Sequence, residues 1–210
     1  MIQSLRFLSA DTLYTLHQYI EMPTMKGDIV WYTPIVSKCA CSTMLKMAIE
    51  SLGLDVNRGK YDSLKGEWRL LSSIKLKQKD FKENHKTFAV IRDPLERIES
   101  AYTTIGGNMS VDEYVENILL AFGHLHKLLI NRHIVNQFMF YDVSKIDVFV
   151  PIEKLDEWFE YIGAKNNGSI NCSRQKIKID DERLMEYLKE DYEIYNRIIF
   201  SDRCFKGLVK

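Results

Sequence analysis

Residues Ser37 to Thr43, Ser-Lys-Cys-Ala-Cys-Ser-Thr, set one ammonium group among small side chains and hydroxyls. Small residues let backbone N–H groups of Cys39, Ala40, Cys41, Ser42 and Thr43 approach an anion closely. Lys38 adds a full positive charge, and Ser42 and Thr43 add hydroxyl donors. A helix starting here would direct its partial positive charge to the same place. This is the chemistry of a phosphate cradle. It is not the Walker order, because no glycine is present and the lysine precedes the small residues. A strand-to-helix loop with a serine cap and a solvated lysine has the same composition. The second constellation is Arg92-Asp-Pro-Leu-Glu-Arg97-Ile-Glu-Ser100-Ala-Tyr102. An arginine fork and a serine hydroxyl suit a terminal phosphate. Positions 93, 97 and 100 share one helix face, so the expectation is that Arg97 and Ser100 point the same way, near Arg92. The plain alternative is an exposed helix start with Arg97 paired to Asp93.

These residues need elements to position them. Three short apolar runs predict buried strands: Ile29 to Val36, Thr87 to Ile91 and Ile146 to Val150. Pro34 weakens the end of the first, since it donates no ladder hydrogen bond. The lysine loop follows the first strand, and Arg92 follows the second. Helices are predicted from Thr43 to Leu52 before Gly53, from Asp93-Pro94 to about Ile105 before Gly106-Gly107, and from Ser110 onward through Leu125. Ser110 with Glu113 forms a capping box. Glu153 to Tyr161 and Asp181 to Ile199 are two more helices. Strands alternating with helices predict an α/β fold with a mainly parallel sheet, and Arg92 then stands at the strand end where such sheets bind ligands. No repeat, low-complexity tract or long linker interrupts the chain, so residues 1–210 read as a single domain.

Together the two constellations resemble the sulfotransferases that use 3′-phosphoadenosine 5′-phosphosulfate (PAPS). Lys38 to Thr43 is similar to their 5′-phosphosulfate loop. Arg92-Asp-Pro-x-x-Arg97-x-x-Ser100-x-Tyr102 is similar, almost letter for letter, to their 3′-phosphate motif. Three later segments resemble the carbohydrate-type, family 2-like branch: His133-Ile-Val-Asn-Gln137, the stretch from Tyr141 to Leu155, and the helix Tyr187-Leu-Lys-Glu-Asp191-Tyr-Glu-Ile-Tyr195. The chain departs from the pattern at Ser37, where the family has proline, and at Ile134 and Asn136, where it has an aromatic residue and proline.

The resemblance implies a P-loop-like three-layer fold, a central sheet flanked by helices. It also implies transfer of a sulfuryl group from PAPS to a hydroxyl of a carbohydrate or sugar-bearing acceptor. Lys38 would face the leaving bridging oxygen. The amides of Cys39, Ala40, Cys41, Ser42 and Thr43 would hold the 5′-phosphosulfate, and Arg92 and Ser100 the 3′-phosphate. A late loop of the family closes over the nucleotide, a role open to Ser173 or Arg174. His133 is the first choice for the base that accepts the acceptor's proton, because imidazole titrates near neutrality. It could equally orient the loop or contact the nucleotide. His85 and Glu67 are weaker alternatives. No metal is required, and no metal-ligand spacing is visible: Cys39-x-Cys41 is too tight for a zinc knuckle.

Composition narrows the remaining classes. Hydrophobic residues make up 46% and charged residues 28%, which is a globular balance. Lys plus Arg equals Asp plus Glu at 29 each, which disfavours a field-driven nucleic-acid binder. No apolar run reaches the length of a membrane span. The N-terminus is a poor signal peptide, and four cysteines make no disulfide framework in a chain of this length. The expectation is a cytoplasmic enzyme of bacterial or viral type, without a nucleic-acid partner. Two rival readings stand beside it. One is a P-loop nucleotide kinase or phosphotransferase, which would require ATP and magnesium. The other is a non-catalytic nucleotide-binding module, which would keep Arg92 and Ser100 but lack turnover.

Overall fold

The strand that ends at Arg92 organises the molecule. Phe88, Ala89, Val90 and Ile91 are consecutive and all buried. Neighbouring side chains of a strand point to opposite faces, so this run needs cover on both faces of its sheet. The computed structural model describes residues 18–22, 24, 27–36, 38–51, 80–103, 109–122, 133–164 and 177–208. Within these, the run belongs to β3 (His85–Ile91), which lies between β2 (Val30–Pro34) and β4 (Val148–Pro151) and is parallel to both. A further strand, β1 (Tyr19–Met22), pairs antiparallel with β2, giving the order β1-β2-β3-β4. The fold is α/β with a mostly parallel sheet, as expected.

β1 is an addition to the sequence reading. Four residues with Glu21 among them carry little pattern, yet Tyr19 and Ile20 are fully buried. Pro34 is tolerated because it is the last residue of β2, opposite Tyr19; the next amide, Ile35, donates to Gln18 O at 3.0 Å. At the far edge, Phe149 N donates to Arg203 O and Phe205 N to Phe149 O, both at 2.8 Å, so the C-terminal segment lines β4.

One polar clamp sets the start of the β3–β4 pairing. Asp147 Oδ2 accepts the Thr87 amide at 2.7 Å and the Thr87 hydroxyl at 2.9 Å. A buried threonine in a strand otherwise facing apolar neighbours is satisfied in this way.

The described helices are α1 (Cys41–Ser51), α2 (Pro94–Ala101), α3 (Val111–Phe122), α4 (Leu155–Ile162), α5 (Glu182–Tyr187) and α6 (Lys189–Ile199). Asp93 caps α2 as expected, its Oδ1 accepting the Leu95 and Glu96 amides at 3.0 Å. Ser110 Oγ likewise accepts the Glu113 amide at 3.2 Å ahead of α3. Two helix expectations need correction. α2 stops at Ala101 and passes into a π turn at Tyr102–Thr103 rather than running on to Ile105. The helix expected from Asp181 to Ile199 is two helices, joined at Leu188. The two helices pack on two apolar clusters: Leu184 and Leu188, with Tyr192 against them, join Ile98, Tyr114, Ile118 and Ile134, while Ile194 and Ile198 enter the main core. Gly163 ends α4 with φ 69°, the left-handed conformation glycine adopts without strain. Gly53, Gly106, Gly107 and Leu125 lie outside the described residues.

Trp158 of α4 anchors the main core. It is almost fully buried, and its ring centroid lies 5.0 Å from that of Trp31 in β2 and 5.3 Å from that of Phe88 in β3. No helix among the described residues is long and apolar enough to cross a membrane.

Candidate functional site

The lysine loop leaves the C-terminal end of β2 and enters α1. Its backbone is unusual: Lys38 and Ala40 have φ of 66° and 56°, left-handed values rare outside glycine, and Cys39 between them does not. Alternation of this kind is the backbone pattern that gathers successive N–H groups into an anion-binding hollow. The conformation costs of order 1–3 kcal/mol per residue and persists only where surrounding contacts enforce it. Cys39 N donates to Val36 O at 3.2 Å, closing the turn, so that amide serves the loop itself. Met44 N makes a helical bond to Ala40 O at 3.1 Å. The amides of Cys41, Ser42 and Thr43 therefore occupy the first turn, where a helix supplies no acceptor of its own. No acidic side chain stands in that turn to compete for an anion.

The side chains of the loop divide between core and surface. Cys39 is fully buried and Thr43 nearly so, while Lys38, Ala40, Cys41 and Ser42 are half-buried. Burial above all, and then the charges of Arg92 and Arg97, lower the Lys38 ammonium below its usual value. Three cations thus converge on one loop, although Lys38 and Arg92 lie far apart in sequence.

Arg92 is the first residue past β3, with its side chain largely covered. Its Nε lies 3.5 Å from Glu96 Oε2, an ion-pair distance, and makes no hydrogen bond to any described residue. Its backbone is held by Gln137: the Arg92 amide donates to Gln137 Oε1 at 3.1 Å, and Gln137 Nε2 donates to Arg92 O at 2.7 Å. Arg97 overturns the plain alternative of an exposed helix start, and its charge acts on Lys38 together with that of Arg92. It is fully buried, its guanidinium carbon 5.9 Å from the Phe140 ring centre. The Asp93 Oδ1 accepts the Leu95 and Glu96 amides and the Tyr192 hydroxyl, the last at 2.9 Å. Ser100 is half-buried one turn further along α2.

The charge of Arg97 acts on Asp191 of α6, which is also buried. Burial pushes its pKa up to about 6, and Arg97 and the Gln137 and Phe138 amides partly oppose that rise. Asp191 Oδ2 accepts the Gln137 amide at 3.4 Å. The short turn Gln137–Met139 has no side-chain cap from its own Asn136, so α6 supplies one from a distance. Gln137 and Asp191 belong to segments already singled out by resemblance, but nothing in their spacing indicated what they touch.

The remaining expectations are distributed as follows. His133 is half-buried on the segment that leads to Gln137, and Ile134 O beside it accepts the Tyr187 hydroxyl at 3.1 Å. His85 begins β3 and is exposed, with Nδ1 2.6 Å from Lys82 O. At the usual strand rise it is roughly 20 Å from the Arg92 end, which removes it from consideration as a base at the loop. Glu67, Ser173 and Arg174 lie outside the described residues. The segment after Arg174 is tied to α2, where Ile179 N donates to Glu99 Oε1 at 2.9 Å next to Ser100. Among the described residues no cluster of His, Cys, Asp and Glu has the makings of a metal site.

A strand-to-helix loop with left-handed residues, set beside the end of a neighbouring parallel strand that carries Arg92, is the arrangement of a P-loop-like α/β fold. The family model described as "Sulfotransferase family" matches residues 25–140, more than half of the chain and the span that holds the loop, the Arg92 motif and Gln137. The chain belongs to the sulfotransferase family, whose chemistry is sulfuryl transfer. No curated protein and no solved structure matches it.

Proposed function

We propose that this sulfotransferase uses PAPS as donor and passes the sulfuryl group to a hydroxyl of a carbohydrate or sugar-bearing acceptor. The observation that carries the donor half is the convergence of Lys38, Arg92 and Arg97 on a left-handed loop at the N-terminus of α1. Positive groups from three places in the chain suit a donor with phosphates at both ends of its ribose.

The acceptor hydroxyl attacks sulfur in line. An oxygen–sulfur bond forms while the sulfur–oxygen bond to the 5′-phosphate breaks. The proton passes to the His133 imidazole, and the electron pair of the broken bond stays on the phosphate of 3′-phosphoadenosine 5′-phosphate. Lys38 neutralises the charge that grows there, with the amides and hydroxyls of Ser42 and Thr43 and the amides of Ala40 and Cys41 around the same oxygens. Arg92 and Ser100 hold the 3′-phosphate, and the resemblance assigns a further nucleotide contact to Ser173 or Arg174. The carbohydrate acceptor rests on resemblance of the segments from His133 to Leu155 and from Tyr187 to Tyr195.

Calorimetric binding of 3′-phosphoadenosine 5′-phosphate, with AMP and magnesium-ATP as comparators, tests the donor half. The expected result is preference for the 3′-phosphorylated ligand, reduced about tenfold or more in Arg92→Ala, with AMP little changed. Preference for magnesium-ATP, or equal losses for both adenylates in the variant, would overturn it.

A further inference from the structure

We propose that Gln137 is the positioning residue that fixes Arg92 against the donor loop, and through Arg92 sets selectivity for the donor's 3′-phosphate. The proposal rests on the donor reading above.

β3 loses its neighbours before it reaches Arg92. Pairing with β2 ends at Tyr32↔Thr87, and pairing with β4 ends at Ile91↔Pro151. The backbone of Arg92 therefore continues past the ladder on both sides. Gln137 takes the place of a strand there. A primary amide offers one acceptor and one donor in a plane, as a peptide does, and it pairs with both Arg92 N and Arg92 O. A reciprocal pair of this kind fixes a residue's position and its twist, which a single bond does not.

The same amide oxygen reaches the loop. Cys39 Sγ donates to Gln137 Oε1 at 3.5 Å, and burial pushes the Cys39 thiol up to about 12, so it remains the protonated donor that this oxygen requires. Cys39 sits between the two left-handed residues. One side chain thus ties the centre of the 5′-phosphosulfate loop to the root of the 3′-phosphate arginine. Gln137 is itself fully buried and is fixed from behind by Asp191 Oδ2 on its own amide. Residue identity follows from these contacts. Glutamate has no N–H to give Arg92 O, methionine has the length but neither polar atom, and asparagine is one methylene too short to span the gap.

The test is adenylate binding by calorimetry in Gln137→Met and Gln137→Glu, with thermal unfolding to establish that each is folded at the assay temperature. The expected result is a loss of affinity for 3′-phosphoadenosine 5′-phosphate of about ten- to a hundredfold, the scale of a misplaced binding group. AMP, held at the N-terminus of α1, should weaken by less than about threefold. In an Arg92→Ala background, Gln137→Met should add less than about threefold, because the effect passes through Arg92. Folded variants with unchanged affinity, or with equal losses for both ligands, would overturn the proposal and leave the donor reading standing. So would failure of both variants to fold, which would make Gln137 a structural residue. A wild-type chain that does not prefer the 3′-phosphorylated ligand would overturn the donor reading first, and this proposal with it.

Discussion

Lys38 shows how much one residue's surroundings decide. The sequence supplied an ammonium group beside small residues. The fold gave it a left-handed backbone, partial burial and two arginines within reach of its charge. Burial above all, and then the charges of Arg92 and Arg97, outweigh the opposing contribution of Cys41 and push its pKa down, so it sheds its proton at a lower pH than an exposed lysine does. In the proposed mechanism only the charged form stabilises the leaving phosphate. Turnover should therefore fall on the alkaline side earlier than an ordinary lysine would dictate, measured as a kcat–pH profile of sulfate transfer. Lys38→Ala should lower kcat by about 10²–10³, the usual effect of removing one transition-state donor, and abolish that alkaline limb. Donor binding should survive in weakened form. Unchanged turnover would remove Lys38 from the mechanism.

At the scale of elements, the site depends on β3 arriving in register, because a shift of one residue would turn Arg92 to the other face of the sheet. The clamp between Thr87 and Asp147 guards that register from the opposite end of the strand. Asp147→Ala leaves the buried Thr87 amide and hydroxyl without their carboxylate. It should cost about 1.5–3 kcal/mol in denaturant unfolding, the range for hydrogen bonds to a charged group. Asp147→Asn, which keeps one acceptor oxygen, should cost less. Equal midpoints for wild type and Asp147→Ala would show that the clamp contributes nothing. The paired helices α5 and α6 make the same point about position. Their break at Leu188 lets α6 bring Asp191 to Gln137 and Tyr192 to Asp93. The last helix of the chain thereby caps two turns that begin much earlier in the sequence.

Across the whole molecule, the balance of charge is local rather than global. The chain has equal numbers of acidic and basic residues, yet the charges of Arg92 and Arg97 act together on Lys38, and that of Arg97 also on the buried Asp191. Asp191 has a pKa raised from 3.8 to about 6, so the folded state holds its proton more tightly than the unfolded chain. Its titration favours folding below about pH 4, and that contribution is lost as pH rises through about 6. Asp191→Asn lacks the titration. The stability of wild type relative to this variant should decline between pH 4 and pH 7, followed as the difference in thermal midpoints. A difference that is flat with pH, or that grows, would contradict the assigned shift.

The sequence by itself determined the family and the strand ends at which the candidate site lies. Lys38 to Thr43 and Arg92 to Tyr102 are local patterns, and so are the apolar runs of β2, β3 and β4 and the Asp93 and Ser110 caps. Such signals act within a few residues, through backbone period and side-chain reach, and so they survive in one dimension. Tertiary structure decided what those signals could not contain. It buried Arg97, added β1 to the sheet edge, and divided the last helix at Leu188. It also gave Gln137 and Asp191 their partners. Each of these outcomes depends on a contact between residues distant in sequence, where burial of a charge or an amide is settled by what the rest of the chain brings to meet it.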